Sequence, residues 1–156
     1  MRQLIRVALL GWLVALPAAS LGAQSPSLSA DVREVRDYKL TIAKVDQFTT
    51  AAAALKELAT ANPATRIEIN SGQKQTIDEV VAKLDANPKV KAAIANAKLS
   101  TREFVLVQAA LLGAMMANAA QQSVGHIPDV ASPENIDFVK TNMMAIQEKL
   151  RVLATK

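Results

Sequence analysis

The chain reads as an all-α protein, a small helical bundle of about five helices with a buried central helix, after an N-terminal signal peptide. Three observations predict this. Apolar residues recur at spacings of three and four through the long segments. Asn-Pro and Ser/Thr-x-x-Glu signals stand where helices should stop and start. Arg2 and Arg6 precede an apolar run, Val7 to Leu16, which Pro17 breaks before small residues at Gly22-Ala23.

Residues 1–23 are therefore read as a signal peptide, and a periplasmic or secreted destination follows. Cleavage after Ala23 is expected, while Ala18 and Ser20 leave earlier cuts open. The apolar core is about half of the roughly 20 residues that a membrane span needs, which makes an uncleaved anchor the alternative. Removing the segment leaves 133 residues, enough for one domain. Net charge falls from +4 to +2, because the segment carries two arginines and no acid. With no basic tract, and with Trp12, Tyr38, Phe48, Phe104 and Phe138 as the whole aromatic set, nucleic acid is not an expected partner. The absence of cysteine excludes disulfides, thiolate catalysis, thiolate metal sites and a lipidated cysteine at the cleavage point.

Residues 24–40 form a polar lead-in, rich in Ser first and in alternating charges later, and its first part is expected to be disordered. A single helical domain is expected over 41–156. Val45, Phe48, Ala52, Leu55 and Ala59 share a face of a first helix from about Thr41 to Ala61, which Asn62-Pro63 ends. Arg66 to Ile69 alternates like a strand without a second strand, so 64–75 is read as an extended connection pinned by Ile67 and Ile69. Thr76-Ile77-Asp78-Glu79 is a capping box and opens a second helix to about Ala86. Asn87 then caps, and Pro88 begins, a short third helix to Ala97.

Ser100-Thr101-Arg102-Glu103 is a second capping box, and Leu99 can staple onto Phe104. The fourth helix, Thr101 to about Ser123, has Gln108 as its only polar side chain between Phe104 and Ala117. A helix apolar all round should be buried all round, so Leu112→Asp is expected to abolish folding. Gly125 ends that helix, and Ser132-Pro133-Glu134 opens a fifth. There Ile136, Val139, Met143, Ile146, Leu150 and Leu153 form a stripe that wants a partner helix along its length.

The signal peptide, the Ala86-Asn87-Pro88 stop, the short helix and Leu99-Ser100-Thr101-Arg102-Glu103-Phe104 before an Ala/Met-rich helix together resemble a group of small exported all-helical bacterial proteins. That group has no assigned activity, so the resemblance implies fold and export without implying function. The chain lacks the Leu-Thr-x-x-Gln repeats of the helical envelope-stress chaperones.

No catalytic constellation is legible. His126, the single histidine, has Asp129 nearby but no positioned nucleophile, and turn capping accounts for it. Met115-Met116 and Met143-Met144 lie on helices expected to be antiparallel. Soft thioethers suit Cu(I), yet adjacent helical residues point about 100° apart, so at most one of each pair reaches a shared site. Core packing is the expected role, and the alternative is a small-ligand pocket lined by Leu112, Met115, Met116 and Met143. Asp78, Glu79 and Glu134 suit helix first turns. Asp31, Glu34 and Asp37, interleaved with Arg33, Arg36 and Lys39, are read as a solvated, self-paired face of a helix or linker. Lys89, Lys91, Lys98 and Arg102 are read as a solvated face, with an anionic surface as the alternative. The expectation is a non-catalytic interaction or accessory protein, with no cofactor, no metal and no transmembrane span in the mature chain. Its partner would be an envelope protein or a copy of itself.

Overall fold

The computed structural model describes residues 26–62, 75–123 and 131–154. Among them are six α-helices and no strand: α1 (Pro26–Asp37), α2 (Ile42–Ala61), α3 (Ile77–Asp85), α4 (Pro88–Asn96), α5 (Thr101–Ser123) and α6 (Pro133–Ala154). The expected connection at 64–75 with Ile67 and Ile69, the turn with Gly125, His126 and Asp129, and residues 1–23 lie outside or almost wholly outside the described residues.

Local signals set most boundaries. Thr41 caps α2 by accepting the Lys44 amide at 3.2 Å, and α2 stops at Asn62 before Pro63. At α3 the Thr76 hydroxyl accepts the Glu79 amide and the Glu79 carboxylate accepts the Thr76 amide, at 3.2 and 2.9 Å. Asn87 Oδ1 accepts the amides of Lys89 and Val90, with Pro88 at the first helical position of α4. The box before α5 closes likewise, Ser100 Oγ accepting from Glu103 N and Glu103 Oε2 accepting from Ser100 N. Leu99 and Phe104, the two ends of the staple, are both buried.

Between α4 and α5 the chain turns on Lys98, which has a φ of 63°. The Lys98 amide bonds the Ala95 carbonyl at 2.9 Å and the Leu99 amide reaches the Ile94 carbonyl at 3.4 Å. This is the Schellman pattern, with Leu99 and Ile94 supplying its buried apolar contact.

Helix α5 is central and packs against every other helix. Ala110, Gly113, Ala114 and Ala117 are buried on it and let neighbours approach closely. Phe48 of α2 meets Phe104 of α5 with ring centroids 5.1 Å apart. Helix α6 lies against α2 and α5 and bends at Asn142 (φ −107°, ψ 15°), whose side-chain amide donates to the Phe138 carbonyl at 2.8 Å. Such a back-bond competes with the helical ladder, so the stripe of α6 is not carried by one straight helix.

The structure differs from the sequence expectation in one element. Residues 26–37, expected within a polar and partly disordered lead-in, form α1 and dock on α5. The charges of α1 are also not simply self-paired. Asp31 Oδ2 accepts the amide of Ile77, the first residue of α3, at 2.9 Å. Glu34 takes Arg102 of α5 in a two-pronged pair at 2.8 and 2.5 Å. Arg36 follows the expectation, touching the adjacent Asp37 at 3.4 Å.

Candidate functional site

Polar clusters come first, because chemistry would need one. Arg102 bridges Glu34 of α1 and, at 2.5 Å, Asp78 of α3. Both carboxylates raise its already high pKa, Glu34 most. Asp85 accepts the buried Thr101 hydroxyl at 2.6 Å and Lys91 at 3.2 Å, and those two bonds hold its carboxyl below the usual range. Lys44 of α2 donates to Glu103 of α5 at 2.7 Å, which lowers the Glu103 carboxyl and raises the Lys44 ammonium. The Arg102 cluster joins α1, α3 and α5, the Asp85 cluster joins α3, α4 and α5, and the Lys44–Glu103 pair joins α2 and α5, so each acid already has its cation or hydroxyl. The Ser100 hydroxyl is likewise occupied, accepting from Glu103 N as a cap and donating to Glu103 Oε2 at 3.1 Å. Among the described residues no group of three or more His, Cys, Asp or Glu is placed to hold a metal.

The basic residues at α4 do not form one free face. Arg102 and Lys91 are held by carboxylates, and Lys89 borders a groove. That groove, about 570 Å³, runs between Ala54, Leu58 and Ala61 of α2 and Ala92, Ala93 and Ala97 of α4, with Glu57 on its rim. A second, of about 450 Å³, adjoins it along α2, sharing Thr50, Ala54 and Glu57, and reaches Lys149 of α6. Both are open to solvent and floored by alanine methyls.

The methionine pocket takes a different form from the one expected. Leu112, Met115, Met116 and Met143 do not converge on one internal site. Leu112 and Met116 point outward, 57% and 58% exposed, and Met144 is 85% exposed. Met115 and Met143 are half-buried and pack against the core. Leu112→Asp is accordingly no longer expected to unfold the protein. The reason is length: α3, with 9 residues, covers about 13 Å of an α5 that runs 23 residues and about 34 Å. Arg102 ties α1 and α3 to the first turn of α5, where Thr101 and Val105 are buried. Further along the same side, Gln108, Leu112, Met116 and Ala119 are exposed.

This leaves a long apolar helix with one bare stripe. By length and composition Thr101–Gln121 is capable of crossing a membrane, and half of its most apolar window is buried against the other helices. Covering a Leu or Met side chain fully is worth about 1.5–3 kcal/mol, so Leu112 and Met116 together offer a partner roughly 2–3 kcal/mol. Alanine methyls in the grooves offer less per residue. The stripe is therefore the stronger candidate for binding. No protein-family model, curated protein or solved structure matches this chain.

Proposed function

We propose that this chain is an exported, non-catalytic interaction protein of the cell envelope, and that the bare stripe of α5 is its docking face. One observation carries the reading: Leu112 and Met116 are more than half exposed, one turn apart, on a helix with no charge from Phe104 to Ser123. Exposed apolar residues scattered singly are ordinary, whereas an aligned pair on the central helix is a standing cost that a partner removes. The polar groups support a structural role, since the ion pairs and caps named above are spent on joining helices. Export is supported by Arg2 and Arg6 ahead of the apolar run and by the small residues at Gly22-Ala23.

The reading is tested with a photo-reactive residue at position 112 in a producing cell, and the same residue at Glu148, exposed on α6, as control. A discrete adduct from 112 and none from 148 is expected. Equal labelling at both positions, or none at either, overturns the reading.

A further inference from the structure

Apart from Met1, the methionines are Met115, Met116, Met143 and Met144, and the fold sorts them into two kinds. Met115 and Met143 are half-buried and pack against the core, whereas Met116 is 58% and Met144 85% exposed. Each exposed thioether thus has a sheltered one as its neighbour in sequence, because adjacent residues on a helix point about 100° apart. Access decides which of them an oxidant in solution reaches, since the reagent must meet the sulfur lone pair. No thiol competes for it, because the chain has no cysteine, and its one tryptophan, Trp12, lies in the expected signal peptide.

Position separates the two exposed sulfurs. Met144 belongs to α6, while Met116 lies in the bare stripe of α5, one turn beyond Leu112. Conversion to the sulfoxide turns an apolar thioether into a polar group that accepts hydrogen bonds. Facing water, that oxygen is hydrated. Under a docked partner it would lose its water, and an unpaired buried polar group is costly. The stripe has little to offer in exchange: its nearest polar side chain is Gln108, about 12 Å away along α5.

We propose that Met116 is an oxidation site through which hypochlorous acid switches off the α5 docking face, an inference that rests on the stripe being that face. The sulfur lone pair takes chlorine from hypochlorous acid and hydroxide leaves. Water then adds its oxygen to the chlorosulfonium sulfur as chloride departs. Sulfur loses two electrons and chlorine gains them, and the net products are the sulfoxide, chloride and one proton. The Met116 side chain is more than half in water, so its oxidation leaves the core packing in place. At Met115, packed on the core, the same chemistry would be damage.

The site is tested first on the purified chain, by peptide-resolved mass spectrometry after about 1–10 equivalents of hypochlorous acid. Met116 and Met144 should each gain one oxygen at least about fivefold faster than Met115 and Met143, and the difference should vanish in urea. Helical circular dichroism should be unchanged once Met116 is oxidised. The switch is then read with the photo-reactive residue at position 112 in a producing cell. A brief dose of hypochlorous acid before illumination should cut the adduct at least about fivefold. Met116→Leu conserves volume and cannot form a sulfoxide, so it should keep the adduct through the same dose, whereas Met144→Leu should lose it as wild type does. Loss of the adduct in Met116→Leu, equal oxidation of Met115 and Met116, or unfolding in step with Met116 oxidation overturns the proposal. Failure of the underlying reading is distinguishable, because an adduct that the dose leaves unchanged in wild type removes the switch but keeps the docking face, and no adduct in undosed cells removes both.

Discussion

Asn135, at the start of α6, accepts the Leu40 amide at 3.0 Å through its side-chain oxygen and donates to the Tyr38 carbonyl at 2.6 Å. One buried amide thus holds both ends of a three-residue stretch between α1 and α2, across 95 positions of sequence. Its orientation is fixed, since only one flip of the amide satisfies a donor and an acceptor together. Asn135→Ala strands both backbone groups and should cost about 3 kcal/mol in urea unfolding. Asn135→Asp can still accept from Leu40 but faces the Tyr38 carbonyl with a second acceptor. Protonation restores a donor, and the acid's folded-state pKa is raised. Relative to wild type, Asn135→Asp should therefore regain stability as pH falls from 7 toward 4. A gap independent of pH would mean that the carbonyl does not need a donor.

Tyr38 presents the opposite case. Its hydroxyl is buried with no hydrogen-bond partner among the described residues, and burial, foremost, raises its pKa. Tyr38→Phe removes an unsatisfied polar atom while keeping the ring, so a gain of about 1 kcal/mol is expected. The sign with pH follows from the raised value: the neutral phenol's advantage is present below the unfolded pKa near 10 and is lost as pH rises through the folded one. Part of the wild-type loss of stability above about pH 10 should disappear in Tyr38→Phe. A destabilised variant would show that the hydroxyl bonds an ordered water.

The boundaries of α2 to α6 were legible because they are written within a few residues. Thr41, Thr76, Asn87 and Ser100 each satisfy amides no more than three positions away. For α1 a helical or linker face was legible but its docking was not, because Asp31 and Glu34 act on Ile77 and Arg102, 46 and 68 residues distant. The bare stripe was missed for a related reason. A run from Phe104 to Ala117 that is apolar on all sides says that a helix wants neighbours, but how far they extend is set by the lengths of α1 and α3. The spacing of Gln108, Leu112, Met116 and Ala119 was the available signal.

The pair of Lys44 and Glu103 makes the acid limit of stability partly assignable. Lys44 first, and then the Ser100 amide, hold the Glu103 carboxyl below its ordinary value. Its contribution is therefore full above the unfolded pKa near 4.3 and is lost as pH falls through the lower folded value. Glu103→Gln keeps an oxygen for the cap and removes the ion pair. It should be less stable than wild type at pH 7 by about 0.5–1 kcal/mol, because both side chains are about a third exposed and solvent screens them. The difference should close below about pH 4. A constant difference from pH 7 to pH 2 would assign the effect to the cap.

Arg102 is the tie that holds α1, because it grips Glu34 and Asp78 at once. Replacing it with Ala should loosen α1 before anything else, since the core helices pack on one another without it. Hydrogen exchange of amides in 26–37 should rise by on the order of fivefold to tenfold, with α2 and α5 unchanged. Uniform loss of protection across all six helices would show instead that α1 is part of the cooperative core.

Lys98 is the position where the backbone carries an avoidable cost. Its φ of 63° lies in the left-handed region, which a side chain bearing a β-carbon adopts at about 1 kcal/mol. The turn still forms, because the Lys98 and Leu99 amides close the end of α4 and Leu99 packs on Ile94. Glycine meets the same geometry without the clash, although it gives the unfolded chain more freedom. Lys98→Gly should therefore raise stability by about 0.5–1 kcal/mol and the melting temperature by about 2–5 °C. Lys98→Val, branched at the β-carbon, should lower both. The lysine side chain is exposed. A lower melting temperature for Lys98→Gly would mean that this turn is not left-handed in solution, and that α4 and α5 are joined some other way.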